Sequence, residues 1–170
     1  AHATDLQQQV NRFNDGFFMD GTPIKQQGNP FSYGMACYPE KHEEAPNLAS
    51  DLHWAKVKVE NGASYLVTQR FFDNQKYLSF VEACRKEGIT VPIIPGLKPI
   101  VLLNQLTVLP KIFHVDLPDD LVKALSDCKS DADAVTVGVE WCTQQAKELI
   151  AMGVPSIHFY SMMATESVRK

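Results

Sequence analysis

Tyr33-Gly-Met-Ala-Cys-Tyr-Pro-Glu-Lys-His-Glu-Glu-Ala-Pro46 is the stretch on which the fold of this chain turns. Tyr33, Met35 and Cys37 alternate with small residues, the period of a strand. Pro39 breaks that pattern, and a loop bearing Tyr38, Glu40, His42 and Glu44 follows. Asn47 then opens a helical stripe of Leu48, Leu52, Ala55 and Val59 that Gly62 stops. A buried strand that ends in a polar loop and passes into a helix is one βα unit. In α/β proteins, ligands bind at the C-terminal ends of such strands.

Further units follow at a spacing of about 30 residues. Tyr65-Leu-Val-Thr-Gln69 predicts a second strand and Asn74–Glu87 a helix with Tyr77, Phe80, Val81 and Cys84 inward. Val91–Ile94 predicts a third strand, ended by Pro95-Gly96. Leu102–Leu109, Pro118–Ser126 and Asp131–Met152 predict helices, Ile157–Tyr160 a fourth strand, and Ala164–Lys170 a closing helix. Upstream, residues 1–12 predict a helix with Thr4 as N-cap and Leu6 and Val10 on one face. Residues 13–30 form a long loop insertion, with a hairpin expected at Asp20-Gly21 and with Phe17, Phe18 and Met19 expected to pin it to the body.

The alternation implies an α/β fold with a parallel sheet, here a single domain over residues 1–170. Two architectures fit: a small open doubly wound sheet, or the second half of a (β/α)8 TIM-type barrel. The second is favoured, because neither a GxGxxG nor a GxxxxGK[ST] loop is present and because the chain opens on a helix. Four βα units do not close an eight-stranded barrel, which takes about 250 residues.

Composition excludes several classes. With 45% hydrophobic and 21% charged residues the chain can bury a core. Its net charge of −4 argues against nucleic acid or an anionic membrane as partner. No apolar run approaches the length of a membrane span. The first residues do not form a signal peptide and lack an initiator methionine, so a trimmed or partial cytoplasmic chain is expected. Cys37, Cys84, Cys128 and Cys142 form no CxxC pair, so reduced cysteines in or near a core are expected rather than a metal site.

Polar residues cluster at the strand ends. Gln69 ends an apolar strand, and its amide suits a ring of mixed polarity. Glu40, Glu43 and Glu44 read as a solvated acidic loop. His53 and His114 read as exposed, and His158, between Ile157 and Phe159, as a core histidine. Lys98 is the strand-end lysine that a Schiff-base lyase would need. On these residues alone, the reading stops at a ligand rim of redox or lyase type.

Tyr38-Pro-Glu-Lys-His-Glu-Glu-Ala-Pro46, Asp51-Leu52, Lys56-Val-Lys58, Gly62-Ala63, Val67-Thr-Gln-Arg-Phe-Phe-Asp73, Ile93-Ile-Pro-Gly-Leu-Lys-Pro99 and Gly153-Val-Pro-Ser-Ile-His-Phe-Tyr160 together resemble the methylenetetrahydrofolate reductase family. The resemblance covers residues 1–12 and 31–163. It implies a (β/α)8 barrel, of which this chain carries about the last four units. It also implies non-covalent FAD, NADH or NADPH as reductant, and reduction of 5,10-methylenetetrahydrofolate to 5-methyltetrahydrofolate in one-carbon metabolism and methionine supply. By position it assigns His2, Ala3, Tyr38, His42, Ala45, Asp51, Trp54 and Lys58 to FAD, Gln69 to folate and nicotinamide, and Gln105 to folate. The family's general-acid Glu and its Arg-Gly-Asp segment have no counterpart, so the catalytic residues are expected in a missing N-terminal half. Full-length relatives are expected to be homo-oligomers. Two positions depart from the family: Met163-Ala164 stands where relatives carry Asn-Arg for the folate tail, and Leu109 where some carry an aromatic ring. A non-catalytic remnant of βα units that keeps the fold is the alternative.

Overall fold

A computed structural model describes residues 2–26, 28–162 and 165–169. The departures at Met163 and Ala164 therefore lie outside the described residues. The elements run α1 (Ala3–Asn14), β1 (Gly34–Cys37), α2 (Leu48–Glu60), β2 (Tyr65–Arg70), α3 (Asn74–Lys86), β3 (Ile93–Leu97), α4 (Gln105–Phe113), α5 (Asp119–Ser126), α6 (Asp131–Ala151), β4 (His158–Phe159) and α7 (Glu166–Arg169). The strands form one sheet in the order β1-β2-β3-β4, every pair parallel. The α/β class, the element order and the parallel sheet follow the sequence pattern.

Local chemistry fixes the helices. The side chain of Asn47 accepts from Ser50 N at 3.0 Å, Asp73 from Gln75 N at 2.8 Å, and Ser130 from Asp133 N at 3.2 Å. Each satisfies an N–H that the first turn leaves without a partner. One core lies between the sheet and α2, α3 and α6, built on Cys37, Leu66, Phe71, Phe80, Cys84, Ile93, Leu97 and Leu149. A second, around Phe72, Ile100, Leu109, Leu121 and Leu125, joins α4, α5 and α6. The second core can be this tight because position 138 is glycine: a Cβ there would collide with the Ile100 backbone, against which α6 packs.

The sheet's other face is open. Ala36 and His158 are exposed, and Tyr65, Val67 and Ile94 are only half-buried. His158 is thus no core histidine. It stands on a two-residue edge strand, on the face away from the helices, with its ring edge-on to Tyr160 at 4.6 Å.

Several boundaries moved, each for a physical reason. The β3 strand runs through Pro95 and Gly96 rather than ending there, because the β2–β3 ladder slips at this point. Val67 pairs with Ile94 and Arg70 with Gly96, so Pro95 has no pairing partner on β2. Helix α4 runs past Pro110 and ends at His114, which takes a left-handed conformation with φ of 51°. Helix α1 is capped at His2, not Thr4, and Leu6 faces solvent. What α1 buries is Gln7, whose amide donates to Lys58 O at 2.6 Å, while Asn11 donates to Asn61 O at 2.8 Å. The 13–30 loop does turn back on itself, with an antiparallel bridge between Phe17 and Pro23. Its Phe17, Phe18 and Met19 are exposed to about half their surface, and the Phe18 ring meets Phe13 of α1 edge-on at 6.1 Å. Asn14 also ties the loop down, accepting from Phe31 N at 2.7 Å and donating to Phe31 O at 3.0 Å.

All four cysteines are free thiols, and Cys37, Cys84 and Cys142 are buried. No group of three or more potential metal ligands occurs among the described residues. No described helix is long and apolar enough to cross a membrane.

Candidate ligand site at the C-terminal ends of β1 and β2

The loop after β1, one face of α2 and the start of α1 line a cavity of about 380 Å3. It is lined by His2, Ala3, Thr4, Tyr38, His42, Glu44, Ala45, Ser50, Asp51, Trp54 and Lys58. All eight positions that the sequence singled out for a flavin therefore meet at one place, although they lie on two helices and a loop. The polar ties between Gln7 or Asn11 and the end of α2 bring the first helix there.

The cavity walls are fixed by a short polar network. Asp51 is buried and accepts the backbone N–H of His42 at 3.0 Å, which holds the loop against α2. Nδ1 of His42 accepts from Glu44 N at 3.1 Å, so the neutral ring carries its proton on Nε2. Its ring meets Tyr38 edge-on at 4.5 Å. Lys58 Nζ donates to Ala36 O at 2.8 Å and lies 5.8 Å from the centre of the Tyr38 ring. That leaves the ammonium two further N–H donors, and it forms no ion pair among the described residues. Burial lowers its pKa, against the opposing pull of Cys37 and Asp51. Burial, with Asp51 second, raises that of Tyr38. A half-exposed Trp54 completes the wall with an apolar surface. A desolvated cation, a buried carboxylate and an aromatic face around one cavity suit an anionic, ring-bearing ligand.

A second, much smaller hollow of about 10 Å3, room for about one water, lies next to it. Tyr38, Glu40, Gln69, Arg70 and Phe113 are among its walls. Glu40 corrects the sequence reading of a solvated acidic loop. Its Oε2 accepts from Asp116 N at 3.0 Å, and its Oε1 is buried without a partner. Desolvation pushes the carboxyl up from an ordinary 4.5 to about 7, with the Asp116 N–H opposing. The cause is tertiary: the segment after α4 folds across the β1 loop and covers Glu40.

Gln69 is half-buried at the end of β2. Gln105 lines neither cavity. Its Oε1 accepts from Val101 N at 2.8 Å and Leu102 N at 3.3 Å, closing the turn that leads into α4. Lys98 is buried and also lines neither cavity. His53 and His114 are exposed as expected. The sequence reading missed Ser50 and Arg70. The signal for Arg70 was present, since an arginine directly after a strand-ending glutamine places two polar side chains where the ladder slips.

The family model for methylenetetrahydrofolate reductase matches residues 21–170. A probable methylenetetrahydrofolate reductase (NADPH) of Caenorhabditis elegans is 38% identical over 148 residues, covering 86% of this chain and 22% of the relative. The 5,10-methylenetetrahydrofolate reductase of Escherichia coli is 34% identical over 137 residues, covering 80% of this chain and 46% of the relative. That of Pectobacterium carotovorum is 31% identical, with 89% and 51% covered. The chain thus spans between about a fifth and a half of the curated relatives it matches. Among solved structures, a Clostridium thermocellum protein described as binding two copies of 5-methyl-5,6,7,8-tetrahydrofolic acid superposes with a TM-score of 0.51 at 18% identity, over 80% of this chain and 49% of that one. That likeness is one of fold. The extent of the family match and the identity to these reductases carry the conclusion: this chain belongs to the methylenetetrahydrofolate reductase family.

Proposed function

We propose that this chain is the cofactor- and substrate-holding half of a (β/α)8-barrel methylenetetrahydrofolate reductase, with FAD in the cavity at the end of β1 and folate and nicotinamide meeting Gln69 at the end of β2. The single observation that carries the reading is the convergence of His2, Ala3, Tyr38, His42, Ala45, Asp51, Trp54 and Lys58 on one cavity. The cavity's chemistry suits a dinucleotide. Lys58 has two N–H donors to give to phosphate oxygens, and the half-buried His42 and buried Asp51 offer a ring N–H donor and a carboxylate. Trp54 offers a face for a ring.

When bound, the flavin would take a hydride from NADH or NADPH and deliver it to the methylene carbon of 5,10-methylenetetrahydrofolate, leaving 5-methyltetrahydrofolate. The residues of this chain bind and orient. Lys58 balances charge, Tyr38 and His42 brace each other at the rim, and Gln69 positions the flat ring stacked beyond it. A proton donor for the folate ring is not among these roles, and we assign it to the part of the protein outside this chain. The open sheet face and the single neighbours of β1 and β4 support that division, since further parallel strands would cover the one and pair the others.

The test is turnover by the full-length protein of which this chain is part. With FAD, NADH or NADPH, and 5,10-methylenetetrahydrofolate, it should form 5-methyltetrahydrofolate. A folded full-length protein that holds no FAD and forms no product would instead support the non-catalytic remnant.

A further inference from the structure

The amide of Gln69 is held in one orientation. Its Oε1 accepts two hydrogen bonds, from the backbone N–H of Arg70 at 3.0 Å and from Arg70 Nε at 3.2 Å. A carbonyl oxygen has two lone pairs, and both are engaged. Since both partners are donors, the atom between them must be the oxygen. The Nε2 group makes no hydrogen bond among the described residues, and it is not one of the buried atoms left without a partner, so it reaches solvent. Gln69 therefore offers a ligand two N–H donors and no acceptor. This is narrower than the mixed polarity that a free amide offers.

What holds the amide is itself held. Arg70 is only 6% exposed. Its guanidinium lies 3.8 Å from the centre of the Phe113 ring and 5.2 Å from that of Tyr160. Tyr160 is fixed in turn by its hydroxyl, which donates to Thr68 O at 2.8 Å. Gly96 makes this packing possible, because a Cβ there would come within 2.6 Å of the Tyr160 ring. An arginine clamped between two aromatic rings loses little further freedom when it makes one more hydrogen bond.

We propose that Arg70 is a positioning residue that turns the Gln69 oxygen inward and its NH2 outward, so that the β2 rim selects ligands presenting a hydrogen-bond acceptor, a ring carbonyl oxygen or an unprotonated ring nitrogen. The ligand named in the test rests on the function proposed above; the orientation of the amide does not.

Two measurements on the full-length protein decide the matter. The first needs no ligand: 15N relaxation of the Gln69 side-chain amide. The amide should be rigid in the wild type, with an order parameter of roughly 0.85, and should fall below about 0.6 in Arg70→Met, which keeps an unbranched chain between the rings but has no N–H. An amide equally rigid in both proteins overturns the proposal. The second is a double-mutant cycle on the Kd for 5-methyltetrahydrofolate. Arg70→Met should weaken binding about 3- to 10-fold when Gln69 is present and less than about 2-fold in a Gln69→Ala background. Equal losses in both backgrounds would make Arg70 a packing residue and overturn its positioning role. Gln69→Glu, which replaces both outward donors by an acceptor, should bind at least as weakly as Gln69→Ala; wild-type affinity in that variant would refute the donor-only rim. Wild-type protein that does not bind 5-methyltetrahydrofolate would count against the proposed function, and the relaxation measurement would still decide the orientation.

Discussion

Glu40 is the residue whose replacement has the most informative consequence. Its carboxyl is lifted from an ordinary 4.5 to about 7, chiefly by desolvation. In the unfolded chain it ionises near 4.5, whereas in the native protein it keeps its proton to about 7. Between those values the native state binds more protons than the unfolded state, so this group makes stability fall as pH rises. Below about pH 4.5 it contributes no penalty, and above 7 the penalty is complete. A shift of that size is worth about 3 kcal/mol for a fully shielded group. Glu40 is only half-buried, so solvent screening reduces the expected figure to about 1 kcal/mol. Glu40→Gln removes the ionisation and keeps an oxygen for the Asp116 N–H. Urea unfolding of wild type and variant at pH 5 and pH 8 measures the effect. With an m-value of about 2 kcal/mol/M, the variant's midpoint should gain about 0.5 M on the wild type between the two pH values. Parallel pH profiles would mean that Glu40 ionises as freely in the native protein as in the unfolded chain, and that burial imposes no penalty on its charge.

Other perturbations follow from the same geometry. Lys58→Ala in the full-length protein should weaken FAD binding by roughly 10-fold or more, because a desolvated ammonium to phosphate is a charge-assisted contact, and dilution followed by flavin fluorescence would reveal it. His42→Ala should weaken FAD binding by a few fold, and unchanged flavin occupancy would remove that residue from the site. Gln69→Ala should raise KM for folate and nicotinamide while the flavin stays bound; loss of flavin with folate affinity intact would contradict the assignment. Gly138→Ala should lower stability by about 2 kcal/mol despite alanine's better helix propensity, because its Cβ meets the Ile100 backbone and backbone cannot rotate away. Thermal unfolding followed by circular dichroism reads this last effect directly.

How much of this was legible in the sequence depended on whether the information was local. Periodicity placed the helices and strands along the chain, because a stripe of Leu48, Leu52, Ala55 and Val59 capped by Asn47 and ended by Gly62 depends on near neighbours alone. Pro95 misled for the complementary reason, and the helix expected over Leu102–Leu109 likewise runs on through Pro110. A proline ends an element only if its missing N–H was needed, and here a slipped ladder and a continuing helix turn absorb the loss. Glu40 and His158 were misjudged because exposure is decided by what folds over a residue. The α4–α5 connection covers the one, and no described element covers the other. Phe17, Phe18 and Met19 look like anchors by composition; Phe18 does meet Phe13, but the two hydrogen bonds between Asn14 and Phe31 that close the loop had no signal in the sequence. The cavity residues were identified through motifs, and no spacing rule would have joined His2 to Lys58. The Gln7 bond to Lys58 O does so across 51 positions.

The proposed function puts FAD in the cavity between α1, the β1 loop and α2. Hydrogen exchange of the full-length protein with and without FAD, read by mass spectrometry, tests it most directly. FAD bound there should slow exchange in residues 2–5 and 38–58 together, with little change at α4 and α5. Protection confined to other segments, or no protection at saturating FAD, would contradict it.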